Sequence, residues 1–114
     1  MILVVDDDDD VRRTIVHSLE VLAYDAVEAP DGATALSLFR DRHPDLVILD
    51  YRMPGMNGVE IAEEMRKIEP GIPVIFASGY AEEADLRRQA GSGTAVLPKP
   101  FRLGELADLI EAAL

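Results

Sequence analysis

The chain has 114 residues, of which 22 are acidic and 11 basic, giving a formal net charge of −11, with 48% hydrophobic side chains and no cysteine. A chain of that length fits one compact domain, expected over 1–114, and buries roughly two thirds of the surface it exposes when unfolded. Missing cysteine excludes disulfides, thiolate zinc sites, thiol nucleophiles and iron–sulfur clusters, and the negative excess argues against direct binding to nucleic acid or acidic membranes. No apolar run approaches the ~20 residues that span a bilayer, and the N-terminus meets acidic residues at once instead of the basic n-region of a secretory leader, so a cytoplasmic location is expected.

In chain order, the apolar run 2–6 (ILVVD) reads as a first strand, and 11–22 as a helix with Val11, Ile15, Leu19 and Leu22 on one stripe. Five aspartates at 6–10 join them, and Asp9 or Asp10 is expected to cap the helix. The weaker run 25–29 (DAVEA) suggests an edge strand, after which Asp31 can cap a helix through Ala35, Leu36 and Phe39. A third strand at 45–50 (DLVILD) leads through Pro54-Gly55 and Asn57-Gly58, which are turn chemistry, into a helix at 58–68 that aligns Val59, Ile61, Ala62, Met65 and Ile68. The last pairs are a strand at 72–77 (IPVIFA) with a short polar helix at 81–90, and a strand at 94–97 (TAVL) with a helix at 103–114 carrying Leu106, Leu109, Ile110 and Ala113.

Five strand–helix alternations with short connections imply an α/β fold, a doubly wound parallel sheet with right-handed crossovers and helices on both faces. In such sheets functional groups collect beyond the carboxyl ends of the strands. Reading each strand to its end gives Asp6 and Asp7 after the first, Asp50 at the third, Ser78 after the fourth and Lys99 just past the fifth. Any one of these acids alone could simply cap a helix. Three together repel one another, so they must share a proton or a cation, and a hard divalent ion such as Mg2+, or Mn2+ in its place, suits oxygen ligands.

The pieces ILVVDD at 2–7, LVILDYRMPGMNG at 46–58, VIFASG at 74–79 and LPKPF at 97–101 resemble, in order and spacing, the receiver domain of two-component response regulators of the chemotaxis-regulator kind. The resemblance covers essentially the whole chain. It implies a flavodoxin-like (βα)5 sheet in strand order 2-1-3-4-5, with Asp50 accepting a phosphoryl group from a phosphohistidine on a sensor histidine kinase or histidine phosphotransfer protein. It also implies that Asp6, Asp7, Asp50 and the backbone carbonyl of Arg52 hold the metal, that Ser78 and Lys99 contact the phosphoryl group, and that the Lys99-Pro100 bond is cis. A downstream effector or output domain completes the partners it suggests, and an apolar or charged patch on the last two helices is a candidate surface for a phosphorylation-dependent homodimer.

Some features depart from the family pattern. Many receivers carry a switch aromatic three residues before the lysine; here Val96 stands there, and Tyr80, two residues beyond Ser78, is a candidate substitute ring. Arg52 and Tyr80 are bulky neighbours of the expected phosphoryl group, suited to limiting the access of water. Met53 and Met56 are expected to pack against the site loop. His17 and His43 are read as solvated or capping residues and not as phosphohistidines, and Arg12, Arg13, Val16 and His17 as an exposed face of the first helix suited to a kinase helix. Two rivals stand beside this reading: a non-phosphorylated pseudo-receiver interaction module, and a haloacid-dehalogenase-type phosphatase, whose Asp-x-Asp-x-Thr/Val pattern the run 6–10 does not complete.

Overall fold

The computed structural model describes residues 1–91 and 93–114, and of Tyr80 the backbone alone. The elements are β1 (Ile2–Val5), α1 (Asp9–Val21), β2 (Ala26–Ala29), α2 (Gly32–Arg42), β3 (Leu46–Asp50), α3 (Gly58–Ile68), β4 (Val74–Gly79), a 3-10 turn (Tyr80–Glu82), α4 (Glu83–Ala90), β5 (Ala95–Lys99) and α5 (Leu103–Ala113). All pairings are parallel and the strand order is β2-β1-β3-β4-β5. The sequence reading of a doubly wound α/β sheet holds, and the weak second strand does lie at an edge.

The period-two alternation of the strands sends neighbouring residues to opposite faces and builds two cores. Leu3, Val5, Val47, Leu49 and Phe76 pack with Ala35 and Phe39 of α2, Val59, Ile61 and Met65 of α3 and Leu86 of α4. Ile2, Val4, Leu46, Ile48, Ile75 and Leu97 pack with Ile15 and Leu19 of α1 and with Leu106 and Ile110 of α5. Every residue of β1 and β3 is buried, as continuous apolar runs covered on both sides require. Ile68, expected on the α3 stripe, is instead exposed in the helix's last turn.

Several local expectations are corrected. The cap of α1 is Asp8 and neither Asp9 nor Asp10: Asp8 is extended, and its carboxylate accepts from the Asp10 and Val11 amides at 2.9 and 3.2 Å. Asp9 lies already in the first turn and turns to Arg12. Arg12 itself is not on an exposed face. It is buried and donates to the Asp6 main-chain oxygen (2.8 Å), to Asp9 (2.7 Å) and to Glu28 of β2 (3.1 Å). Val16 packs on the second core, which leaves Arg13 and His17 as the exposed members of that set.

The fourth and fifth strands run further than their apolar stretches indicate. Ser78 pairs with Pro98 and Gly79 with Lys99, so both site residues belong to the sheet and not to loops beyond it. Pro73 delays the start of β4, and the helix expected at 81–90 opens instead as the 3-10 turn before α4. The Lys99-Pro100 bond is cis, and His43 caps α2 in the left-handed region with its N–H on the Phe39 oxygen.

Candidate functional site

The parallel sheet brings Asp6, Asp7, Asp50, Ser78 and Lys99 to one edge. The register sets this arrangement, since Val5 faces Leu49 across β1 and β3, and Asp50 faces Ala77 across β3 and β4. One residue beyond each pair stand Asp6 and Ser78, beside Asp50. The β3 end is shaped by Gly58 at the start of α3, whose amide donates to the Tyr51 oxygen at 2.6 Å. A Cβ on Gly58 would come within 2.4 Å of the Asp50 main-chain oxygen, so only glycine lets α3 begin this close to the strand. Asn57 caps that helix and forms a reciprocal capping box with Glu60, a feature the turn reading of Asn57-Gly58 did not find although the Asn-x-x-Glu spacing signals it. Gly55 has a positive φ of 88°, the conformation its Pro-Gly turn demands.

Lys99 joins the acids. Its Nζ donates to Asp50 Oδ1 at 2.9 Å and to Asp6 Oδ2 at 3.1 Å. Asp6 is 1% exposed, and its other carboxylate oxygen accepts from the Asp8 amide at 2.9 Å. With its N–H on the Ala29 oxygen and its own carbonyl on Arg12, Asp6 is held from four sides. Asp7 is exposed. Burial pushes the Asp50 carboxyl up to about 6; Lys99 works against that rise, and Asp6 and Asp7 add to it. Lys99 is held above the ordinary lysine range: burial opposes its charge, but its bonds and attraction to Asp50 and Asp6 outweigh that penalty.

One carboxylate oxygen from each of Asp6, Asp7 and Asp50 lies within 4.8 Å of the others. All donors are hard oxygens, two of them buried, so the cluster can hold a metal ion of the oxygen-preferring kind. Lys99 supplies one positive charge against three negative ones, which leaves a cation deficit the ion would fill. Ser78 is 1% exposed, and among the described residues its Oγ is the buried side-chain polar atom with no hydrogen-bond partner. A buried hydroxyl without a partner costs stability, and beside Asp50 it is a donor suited to an incoming anion.

Around this centre, Arg52 lies two residues past Asp50 with an outward side chain paired to Glu82. Met53 is buried and Met56 packs against the same core, so both turn to the hydrophobic core beneath the loop. Val96 packs on that core from β5. The Tyr80 ring lies outside the described residues, so the substitute-aromatic expectation has no structural counterpart to compare. Two polar contacts were not legible in sequence: Gln89 of α4 donates to the buried Tyr51 hydroxyl at 2.8 Å, and Glu82 accepts the Gly79 amide at 3.0 Å. Their partners are 38 and 3 residues away, and neither pair carries a motif.

Residues 2–111 match the family model described as "Response regulator receiver domain". The chain is 40% identical over 114 residues to the regulatory protein AtoC of Escherichia coli, covering 99% of this chain and 25% of that protein. It is 39% identical over 116 residues to the sensor kinase CckA of Brucella abortus, covering 99% of this chain and 12% of that protein. Its fold superimposes on the crystallised receiver domain of NtrX from Brucella abortus with a TM-score of 0.90 and 31% identity, over 100% of this chain and 98% of that one. The chain thus spans between about an eighth and a half of the curated relatives it matches. No helix among the described residues is long and apolar enough to cross a membrane. The fold, the acidic cluster at its strand ends and the match along nearly the whole length place the chain in the response regulator receiver domain family, the signalling receivers of two-component systems.

Proposed function

We propose that residues 1–114 act as one receiver unit in which Asp50 accepts a phosphoryl group from a phosphohistidine. The observation that carries the reading is the pairing of Lys99 with both Asp50 and Asp6 beside the unpartnered Ser78 hydroxyl. An Asp50 oxygen bonds to phosphorus as the P–N bond of the donor breaks, and the electron pair, followed by a proton, goes to the donor imidazole. Asp6, Asp7, Asp50 and the Arg52 backbone carbonyl would hold Mg2+, or Mn2+ in its place, which when bound disperses negative charge on the transferring oxygens. Lys99 then follows the phosphoryl oxygens as a point charge, and Ser78 donates its hydroxyl to them. The transfer replaces a carboxylate by an acyl phosphate dianion, a change in local charge of about −1, and so pulls on β4 and α4.

The donor is a sensor histidine kinase or histidine phosphotransfer protein, and the receiver of the signal is an output domain or a separate effector, all in the cytoplasm. A largely apolar groove of about 510 Å³ between α1 and the start of α5, lined by Val11, Thr14, Ser18, Lys99, Phe101 and Leu103, supports docking of the donor there. Phosphorylation-dependent pairing of two copies through α4, β5 and α5 is the accompanying proposal. Intact mass after incubation with acetyl phosphate tests the chemistry. One phosphoryl group should be gained only with magnesium and be lost in Asp50→Asn; turnover of unrelated phosphate esters would favour a phosphatase, and no adduct would favour an interaction module.

A further inference from the structure

Glu82 touches both loops that border Asp50. One carboxylate oxygen accepts the Gly79 amide at 3.0 Å, and the other pairs with the guanidinium of Arg52. Gly79 directly follows Ser78, and Arg52 stands two residues past Asp50. The contact on Gly79 is close: a Cβ there would lie 3.1 Å from the same Glu82 oxygen. Glu82 itself is largely covered, at 20% side-chain exposure, whereas Arg52 is 74% exposed. An acidic group of this chain therefore already occupies two donors at the mouth of the site, one from each neighbouring strand end.

We propose that Glu82 is a resident competitor of the phosphoryl group, and that Arg52 leaves it to become a phosphoryl-binding residue once Asp50 is modified. The inference rests on the receiver reading above. Guanidinium groups match phosphoryl oxygens in a two-pronged geometry, and a phosphoryl dianion carries more charge than a carboxylate. A guanidinium as exposed as that of Arg52 gives up a single carboxylate readily. When Arg52 goes, Glu82 loses the counter-ion that holds it over Gly79, and the corner carrying Ser78 is released. The same exchange frees the first turn of α4, which Glu82 immediately precedes. Coupling of this kind needs no aromatic on β5, where this chain has Val96.

Beryllium trifluoride, a phosphoryl analogue, tests the exchange when its affinity is measured in magnesium through the Ser78 and Gly79 amide resonances. Glu82→Gln keeps an oxygen for the Gly79 amide but removes the charge, so it should tighten the analogue about two- to fivefold, the scale of one exposed ion pair. The tightening should vanish in the double variant with Arg52→Ala and survive in part with Arg52→Lys. A merely structural role would shift the thermal midpoint of Glu82→Gln without this dependence on Arg52. Unchanged or weaker binding in Glu82→Gln, or tightening that persists without Arg52, overturns the competitor role while leaving the receiver chemistry standing. A wild-type protein that binds no analogue and gains no phosphoryl group overturns both.

Discussion

On the β1 and β3 side of Asp50 every strand residue is buried, and Asp6 is bound through its amide, its carbonyl and both carboxylate oxygens. On the β4 and β5 side the Ser78 hydroxyl has no partner among the described residues, β5 is mostly half-buried, and α4 holds a single buried side chain, Leu86. The first flank is built to hold charges in fixed positions. The second is unevenly packed: β4 is buried from Val74 to Ser78, but β5 fully buries Leu97 alone and α4 Leu86 alone. Fully bonded and unsatisfied polar groups thus stand on different sides of one carboxylate, with Lys99 reaching across from β5 to Asp50 and Asp6.

The sharpest way to break this contrast is to disturb the fixed flank. Gly58→Ala places a methyl 2.4 Å from the Asp50 main-chain oxygen, so backbone has to move; a loss of about 2–4 kcal/mol is expected in urea unfolding. Removing the crossing charge should cost less. Lys99→Met leaves the buried pair Asp6 and Asp50 without their cation, and about 2 kcal/mol should be lost at pH 7, with a smaller loss near pH 5 where Asp50 takes up a proton.

Asp50 itself gives a pH signature in the metal-free protein. Its folded value of about 6 lies above the ordinary 3.8, so the folded state binds the proton more tightly than the unfolded chain. Stability should therefore fall as pH rises from about 4 to about 6, by on the order of 2 kcal/mol, and stay low above that window. Urea midpoints measured across this range in a chelator should show the fall in wild type and a flatter profile in Asp50→Asn.

The β4 and β5 flank should respond differently. Ser78→Ala removes a buried hydroxyl that no described residue satisfies, so the unmodified protein should be as stable or up to about 1 kcal/mol more stable. Its amide shifts on phosphorylation should shrink markedly, and a large loss of stability would contradict the assignment of Ser78 to the response. The smallest effect is expected for Tyr51→Phe, which cuts the bond from Gln89 and should cost about 0.5–1 kcal/mol. Faster hydrogen exchange confined to α4 would show that this bond is what steadies the helix.

Much of the fixed flank was legible because strand composition carries it: ILVV and LVIL announce buried parallel strands, and their ends mark where Asp6 and Asp50 stand. The helix at 58–68 was found with its observed bounds since both Asn57-Gly58 and the apolar stripe delimit it. The β4 and β5 flank is harder to read. Ser78, Gly79, Pro98 and Lys99 are not apolar, so their membership of β4 and β5 follows from pairing across strands and not from pattern. Arg12 looked solvent-facing by composition, but its partners Asp6 and Glu28 come from two strands that only the fold sets beside α1. Asp8 was passed over as cap because five consecutive aspartates offer the same side chain, and backbone conformation alone selects among them.

The most direct measurement is the position of the phosphoryl bond. Borohydride reduces an acyl phosphate to an alcohol, so an aspartyl phosphate becomes homoserine, which peptide mass spectrometry can place. After phosphorylation with magnesium and acetyl phosphate, homoserine is expected at residue 50 and nowhere else. Homoserine at Asp6 or Asp7, or phosphate retained on His17 or His43 with none at Asp50, would contradict the assignment of Asp50 as the phosphoacceptor.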